Sequence, residues 1–181
     1  MALKTFSYLY GHGHQNFTLD TSRIRQEIVM PDVKPLADVQ TAILEAIRHP
    51  IGCVSLSEMV KPGDTVTFIC NDSTRVAGTN VFMPVLVNEL NRLGIKDKDM
   101  DIMFALGSHR NMPYDEMVEN VGQDVAKRLK MYNNECENSD AYEYFGETSR
   151  KTPIWIHKRI NHRSHVILTG TVVYHYQAGF G

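Results

Sequence analysis

Three apolar stretches of the chain each end in a compact polar cluster. The stretches cover residues 65–70 (TVTFIC), 101–106 (DIMFAL) and 166–174 (VILTGTVVY). Short apolar runs of this kind are typical of strands that are buried on both faces of a parallel sheet. If the three are parallel strands, the clusters that follow them lie along one edge of the sheet, where ligands bind in open α/β folds.

The first cluster, residues 71–75 (NDSTR), has the chemistry of an anion site. A hydroxyl, a guanidinium and the free amides of a helix N-terminus can hold a phosphate or a carboxylate. An equally good interpretation is that Asp72 or Ser73 only caps the following helix. The stretch is neither a GxxxxGK[ST] loop nor a GxGxxG fingerprint.

The other two clusters each supply a histidine. His109 follows the second stretch within residues 107–110 (GSHR), beside a glycine that permits close approach, and suits a general acid or base. His175 begins the third cluster, residues 175–181 (HYQAGFG). Either histidine alone could be an ordinary loop residue. Three clusters at equivalent positions of one predicted sheet favour a shared site.

Composition limits the classes of protein that the chain can represent. Its 181 residues suffice for one well-buried domain, and 43% hydrophobic with 22% charged residues is ordinary for a globular protein. A net charge of −2 with scattered Lys and Arg gives no indication of a nucleic acid or an anionic membrane as partner. Three cysteines without a CxxC pair favour neither a disulfide framework nor a zinc site. With no signal-peptide pattern and no apolar run of about 20 residues, we expect a reducing, cytoplasmic compartment.

The remaining pattern predicts an α/β fold. Alternation over residues 4–18 predicts a β-hairpin that turns at residues 11–14. Helical spacing is found in residues 37–48 and 114–121, and another helix is expected from near Met83 to a C-cap at Gly94. We therefore predict a single domain over residues 1–181: a mainly parallel sheet with helices on both faces (a Rossmann-like three-layer arrangement) and an N-terminal β-hairpin.

Taken together, the three clusters resemble the N-terminal part of the nickel-dependent lactate racemase family. The pattern of that family is an (S/N)D-x-TR strand end, a G-x-HR strand end and H-x-x-AGFGGGRK. Here the three motifs are residues 71–75, 107–110 and 175–181, and the resemblance covers the chain from about residue 40 onward. Each motif is short, but three in register are fairly specific.

The resemblance implies an activity and a cofactor. Members of the family interconvert the enantiomers of 2-hydroxy acids with a nickel pincer nucleotide, a pyridinium mononucleotide that holds nickel. By analogy, His109 and His175 would be the acid–base pair, and Arg110 or Arg75 would bind the carboxylate of the substrate. The residues that would line the cofactor pocket are Asp72, Ser73, Thr74 and Arg75.

The resemblance also bears on the extent of the chain. The sequence stops at Gly181, before the GGRK continuation of the family, with its cofactor-tethering lysine, a nickel-binding histidine and a second domain. We therefore expect the truncated N-terminal domain of a larger two-domain racemase, which alone would neither hold the cofactor nor be active. Ser73 stands where many relatives have His, and Tyr176-Gln177 differ from the usual aromatic pair, so the acid itself is left open.

Two other functions remain open from the residues alone. One is a non-catalytic module that binds a phosphate or a nucleotide through residues 72–75, in which case His109 and His175 need not converge. The other is a metal-binding regulatory domain that uses His12 and His14, although two exposed imidazoles at a hairpin tip need no metal.

Overall fold

A computed structural model of the chain describes residues 2–29, 31–175, 177 and 179–180, with only the backbone of residue 180. The chain divides into two compact units, Met1–Leu36 and Ala37–Gly181. The prediction of a single domain over residues 1–181 stays a prediction.

The first unit contains the predicted β-hairpin. Strands β1 (Leu3–Tyr10) and β2 (Gly13–Asp20) are antiparallel and are joined by a two-residue turn. Gly11 in that turn has a φ of 58°, in the left-handed region that favours glycine. On one face of the hairpin Phe17 stacks on Phe6 and Tyr8, with ring centroids 5.4 and 5.6 Å apart.

The second unit is built on a four-stranded parallel sheet. Its strand order is β5-β4-β3-β8, and β6 and β7 form a separate antiparallel pair, as do the two-residue strands β9 and β10. The strands are β3 (Val66–Asn71), β4 (Met100–Ala105), β5 (Lys130–Asn133), β6 (Tyr142–Glu147), β7 (Pro153–His157), β8 (His165–Leu168), β9 (Tyr174–His175) and β10 (Gly179–Phe180).

Helices flank this sheet, as predicted. One face carries the hydrophobic core, in which alternate residues of β3 and β4 pack against three helices. The helices are α1 (Val39–Arg48), α2 (Leu56–Met59), α3 (Thr79–Arg92), α4 (Tyr114–Val121), α5 (Gln123–Arg128) and α6 (Lys158–Asn161). Those that line the core beside the sheet are α3, α4 and α5, and its fully buried side chains include Phe68, Phe104, Met83, Leu90, Val121 and Val125.

Polar contacts attach α6 to the other face of the sheet. Thr67 on β3 donates a hydrogen bond to the buried Asp101 on β4 over 2.5 Å, and Arg163, just after α6, is paired with the same carboxylate. The guanidinium of Arg159 lies 3.6 Å from the ring centroid of Tyr132 on β5. Charge and stacking thus contribute to holding the helix on this face.

The structure corrects two predicted boundaries. Helix α3 begins at Thr79, not near Met83, because Gly78 with a φ of 69° supplies the turn into the helix. Gly94, predicted as the C-cap, directly follows the C-cap residue Leu93: its φ is 96°, and a Cβ there would lie 2.7 Å from Pro62. The last core strand ends at Leu168, not at residue 174 where the apolar stretch ends, because its partner β3 pairs with it only as far as Ile69.

Glu89 on α3 is an ionised carboxylate in the interior. Its side chain is 4% exposed and accepts hydrogen bonds from Arg92 at 2.9 Å and from Arg48 on α1 at 3.2 Å. The hydrogen bond from Arg92, joined by that from Arg48, overcomes the effect of burial and lowers the pKa of Glu89 to about 2. This pair of contacts ties α1 to α3.

Replacing Glu89 by glutamine is expected to lower the free energy of unfolding at pH 7 by at most about 3 kcal/mol. Each unit by which the pKa of Glu89 is lowered corresponds to about 1.4 kcal/mol, and solvent screening of the two half-exposed arginines reduces the total. The folded pKa lies below the ordinary value of 4.5. The stabilisation is therefore complete above about pH 5 and is lost as the pH falls towards 2. Urea denaturation between pH 7 and pH 3 checks this. A difference between parent and variant that does not shrink with falling pH would contradict it.

Candidate functional site

The first two polar clusters lie side by side at the carboxyl edge of the sheet. Strands β3 and β4 are parallel neighbours, with Asn71 opposite Ala105 at their ends. The chain after β3 turns through a hydrogen bond from the Arg75 amide to the Asp72 carbonyl (3.2 Å). The chain after β4 turns through one from the His109 amide to the Leu106 carbonyl (3.0 Å). Two neighbouring loops thus carry the predicted site residues, and we call residues 72–75 the β3 loop and residues 107–110 the β4 loop.

Asp72 and His109 join the two loops directly. The Nδ1 atom of His109 is hydrogen-bonded to Oδ2 of Asp72, whose other oxygen accepts bonds from the Thr74 amide (3.0 Å) and the Thr74 hydroxyl (2.6 Å). Asp72 is only 5% exposed. Burial acts to raise the pKa of its carboxyl, but the hydrogen bonds from Thr74 and His109 outweigh this and leave that pKa below its ordinary value.

An ionised Asp72 fixes the protonation pattern of His109. Since a carboxylate can only accept, Nδ1 of His109 carries the proton, and the lone pair of the neutral ring is on Nε2. The side chain is 53% exposed, so a ligand can reach the ring. This arrangement, a carboxylate that orients an imidazole, is the one that general bases use.

A second link between the loops runs through Glu116 on α4. Arg110 donates to both oxygens of Glu116, over 2.7 and 3.1 Å, and Ser73 donates to one of them over 3.3 Å. The hydrogen bond and charge of Arg110 lower the pKa of the Glu116 carboxyl, which is therefore ionised at neutral pH. The guanidinium of Arg110, predicted to bind substrate, already has a carboxylate partner.

A pocket of about 300 Å³ lies beside the β3 loop. Arg75 and the start of α3 line it, and no described side chain caps that helix. Within the described part of the chain, the Arg75 guanidinium has no hydrogen-bonding or ion-pair partner. Asn120 on α4 also lines the pocket, and its Oδ1 atom is buried with no partner among the described residues. The pocket thus offers donors for an anion and an unpartnered acceptor for a hydroxyl or an amine, and the carboxylates of Glu116 and Glu119 also line it.

A second pocket, of about 570 Å³, lies beside the β4 loop. Its walls are residues 106–111, which include His109, and residues 135–138, which follow β5. Most of these side chains are polar. His109 therefore lines this second pocket and is not among the residues that line the 300 Å³ pocket.

His175 lies beyond the end of β8, on the two-residue strand β9. Its Nδ1 atom accepts a hydrogen bond from the Gln177 amide over 3.2 Å, so the ring proton of the neutral imidazole is on Nε2. The shared cleft of His109 and His175 stays a prediction. The Tyr176 and Ala178 positions of the third motif lie outside the described residues.

Sequence reasoning missed two residues of this region. Glu116 and Asn120 lie on α4, six and ten positions after Arg110, and belong to none of the three motifs. The only available signal was their polar character on an otherwise amphipathic helix, which does not identify a partner. In the described part of the chain no group of three or more His, Cys, Asp or Glu residues is arranged to hold a metal ion. Nor does any described helix have the length and apolar character needed to cross a membrane.

A parallel sheet with a polar, histidine-containing site at its carboxyl edge defines an α/β protein of the open-sheet class. The chain belongs to the lactate racemase N-terminal domain family, whose model matches residues 10–181. This confirms the family that the three motifs predicted.

The similarity to individual family members is distant but extensive. The chain is 24% identical over 138 residues to the lactate racemase of Thermoanaerobacterium thermosaccharolyticum, and the matched region covers 76% of this chain and 32% of that protein. It is 23% identical over 141 residues to that of Lactiplantibacillus plantarum, covering 78% and 33%. The chain thus spans about a third of the length of these relatives.

The fold agrees with a solved structure of the first relative. The lactate racemase apoprotein from Thermoanaerobacterium thermosaccharolyticum superposes with a TM-score of 0.81 at 22% identity, over 98% of this chain and 41% of that one. At this identity the likeness establishes the fold.

Proposed function

We propose that the chain is the N-terminal part of a 2-hydroxy acid racemase or epimerase in which His109 and His175 are the acid–base pair. The observation that carries the proposal is the contact between Asp72 and His109. It joins two of the three family motifs and orients one imidazole with Nε2 as the proton acceptor. The reaction needs such an acceptor for the hydroxyl proton of the substrate.

The hydrogen bonds of His109 and His175 suit their imidazoles to different roles. Nε2 of His109 accepts the hydroxyl proton as the α-carbon loses hydride, and the Asp72 carboxylate stabilises the imidazolium that forms. His175, with its ring proton on Nε2, donates a hydrogen bond to a substrate oxygen. To complete the reaction, His175 must enter it as the imidazolium, so that it can give a proton to the product oxygen and end neutral, and the Gln177 amide must then release Nδ1 of His175. The opposite enantiomer exchanges the roles of the two histidines.

The residues beside the β3 loop fit a phosphorylated nucleotide. The uncapped amides at the start of α3 suit a phosphate, and the unpartnered Oδ1 atom of Asn120 suits a ribose hydroxyl. We therefore assign the nickel pincer nucleotide to the 300 Å³ pocket, which Ser73 and Arg75 line, with Asp72 and Thr74 in the same loop. When bound, the cofactor supplies the acceptor and donor for the hydride.

Charge selects between the two arginines as partners for the substrate carboxylate. Arg75 has no partner among the described side chains, whereas Arg110 already binds both oxygens of Glu116. Binding of a carboxylate to Arg110 would therefore compete with Glu116. We propose Arg75 as the primary carboxylate site and keep Arg110 as a secondary one.

The test uses the longest product that the gene encodes, loaded with the nickel cofactor. Each enantiomer of a panel of 2-hydroxy acids is incubated separately, and chiral chromatography measures conversion into the other. In D₂O the product should keep protium at the α-carbon, because hydride is carried by the cofactor and not exchanged with solvent. The proposal fails if no acid of the panel is converted by the loaded protein, and its hydride step fails if deuterium enters the α-position.

A non-catalytic nucleotide-binding module remains the second candidate, because the pocket at the start of α3 could bind a mononucleotide without any chemistry. Calorimetry with nicotinic acid mononucleotide, a pyridinium mononucleotide without nickel, distinguishes the two functions. Binding that Arg75→Ala weakens, together with no turnover by the loaded protein, would favour the module.

A further inference from the structure

We infer that Glu116 is a positioning residue of the proposed racemase site, which sets the geometry of His109 by joining the β3 and β4 loops. The inference rests on the proposed function, and it adds a residue that lies in none of the family motifs. Glu116 touches neither the imidazole of His109 nor the carboxylate of Asp72. It acts through the residues next to them.

The contacts of Glu116 form a second link between the β3 and β4 loops, beside the hydrogen bond between Asp72 and His109. Asp72 meets His109 directly, and their chain neighbours Ser73 and Arg110 meet through Glu116. The two carboxylate oxygens of Glu116 accept hydrogen bonds from both terminal nitrogens of the Arg110 guanidinium, and one of these oxygens also accepts a hydrogen bond from the Ser73 hydroxyl. Two consecutive residues of each loop are thus fixed relative to the other loop. A single hydrogen bond would let the two loops pivot about it, whereas two links side by side restrain the orientation of one loop relative to the other.

Helix α4 makes Glu116 a firm anchor for both loops. Glu116 lies in the first turn of the helix, where the helix dipole favours a carboxylate. The next two residues, Met117 and Val118, are buried in the core, so the helix itself cannot shift easily. Ser73 and Arg110, in contrast, are both exposed. The structure therefore attaches two exposed loops to a buried helix through one carboxylate.

The exposure of the Arg110–Glu116 ion pair indicates what Glu116 contributes. Arg110 is 69% and Glu116 29% exposed, and exposed ion pairs add little to folding stability because solvent screens them. Loss of Glu116 should therefore change the geometry of the site far more than the stability of the protein. Catalytic groups are sensitive to this, since a displacement of about 1 Å can lower a rate about 10²-fold.

The test compares Glu116→Ala and Glu116→Gln with Asp115→Asn in the longest gene product loaded with nickel cofactor. Asp115 is a matched control: it occupies the same turn of α4, is exposed, and has no hydrogen-bond or ion-pair partner among the described residues. We expect Glu116→Ala to lower kcat about 30-fold with KM within about threefold. Glu116→Gln should lower kcat less, because its amide oxygen can still accept from Arg110 and Ser73. Asp115→Asn should stay within about twofold.

Two outcomes would overturn the inference. One is a kcat for Glu116→Ala within about twofold of the parent. The other is a raised KM with unchanged kcat, since that would place Glu116 in ligand binding. The melting temperature of each variant should stay within about 3 °C of the parent, which separates lost geometry from lost folding.

A second readout does not depend on racemase activity. With ¹⁵N-labelled histidine, the ring signals of His109, assigned by comparison with His109→Gln, should shift or broaden in Glu116→Ala and remain unchanged in Asp115→Asn. Unchanged His109 signals in Glu116→Ala would refute the positioning role. If the parent converts no hydroxy acid, the proposed function fails, and this comparison alone decides the role of Glu116.

Discussion

Replacing His109 by alanine is expected to lower kcat for hydroxy acid racemisation about 10³-fold, because a positioned general acid or base contributes about 10²–10⁴ to a rate. The measurement is the initial rate from each pure enantiomer with the longest gene product loaded with nickel cofactor. Since racemisation has an equilibrium constant of one by symmetry, kcat/KM must fall by the same factor in both directions. Unequal losses in the two directions would indicate an assay that does not follow racemisation.

The control for this substitution is His162→Ala. His162 is 73% exposed, and its nearest charged partner, Glu143 on β6, is 3.5 Å away. It lies in neither of the pockets beside the β3 and β4 loops, so its loss should leave kcat within about twofold of the parent. If His109→Ala keeps more than about a tenth of the parental kcat, His109 is not the base and the proposed mechanism fails.

The sequence predicted the part of the fold that depends on buried strands. The runs at residues 65–70 and 101–106 are apolar because β3 and β4 are buried on both faces, so their strand ends, and the loops that follow them, could be located. The third run, at residues 166–174, was misleading. Its β-branched residues favour a strand, but the pairing with β3 ends at Leu168 although β3 itself continues to Asn71, and residues 170–173 have no partner strand among the described residues.

The candidate site was predictable only in its composition. The motif pattern indicated Asp72 and His109 as site residues, but it assigned Asp72 to the cofactor and gave no sign that its carboxylate meets the imidazole. That contact depends on the β3–β4 register, with Asn71 opposite Ala105. The pairing of Arg110 with Glu116 depends in addition on the direction in which α4 leaves its loop. Neither is encoded in a local sequence pattern.

Replacing Asp72 by asparagine is expected to lower kcat about 10²-fold while the protein stays folded. The Oδ1 atom of the introduced side chain can keep the two hydrogen bonds from Thr74, so the β3 loop retains its turn. The new amide group would then face His109, and an amide donates where the carboxylate accepted. Nδ1 of His109 must accept that bond, which moves the ring proton to Nε2. The base is thereby converted into the tautomer that cannot take the substrate proton.

This prediction tests whether catalysis depends on the orientation and tautomer of His109 and not only on its presence. The nitrogen shifts of ¹⁵N-labelled histidine should report a proton on Nδ1 of His109 in the parent and on Nε2 in Asp72→Asn. Asp115→Asn, which also exchanges a carboxylate for an amide, should change neither the shifts nor kcat. Because Asp72 has a lowered pKa, its contact with His109 is complete at neutral pH and is lost only in acid, where the carboxyl takes up a proton. A variant that retains both full activity and the parental tautomer would show that the Asp72 carboxylate does not orient the base.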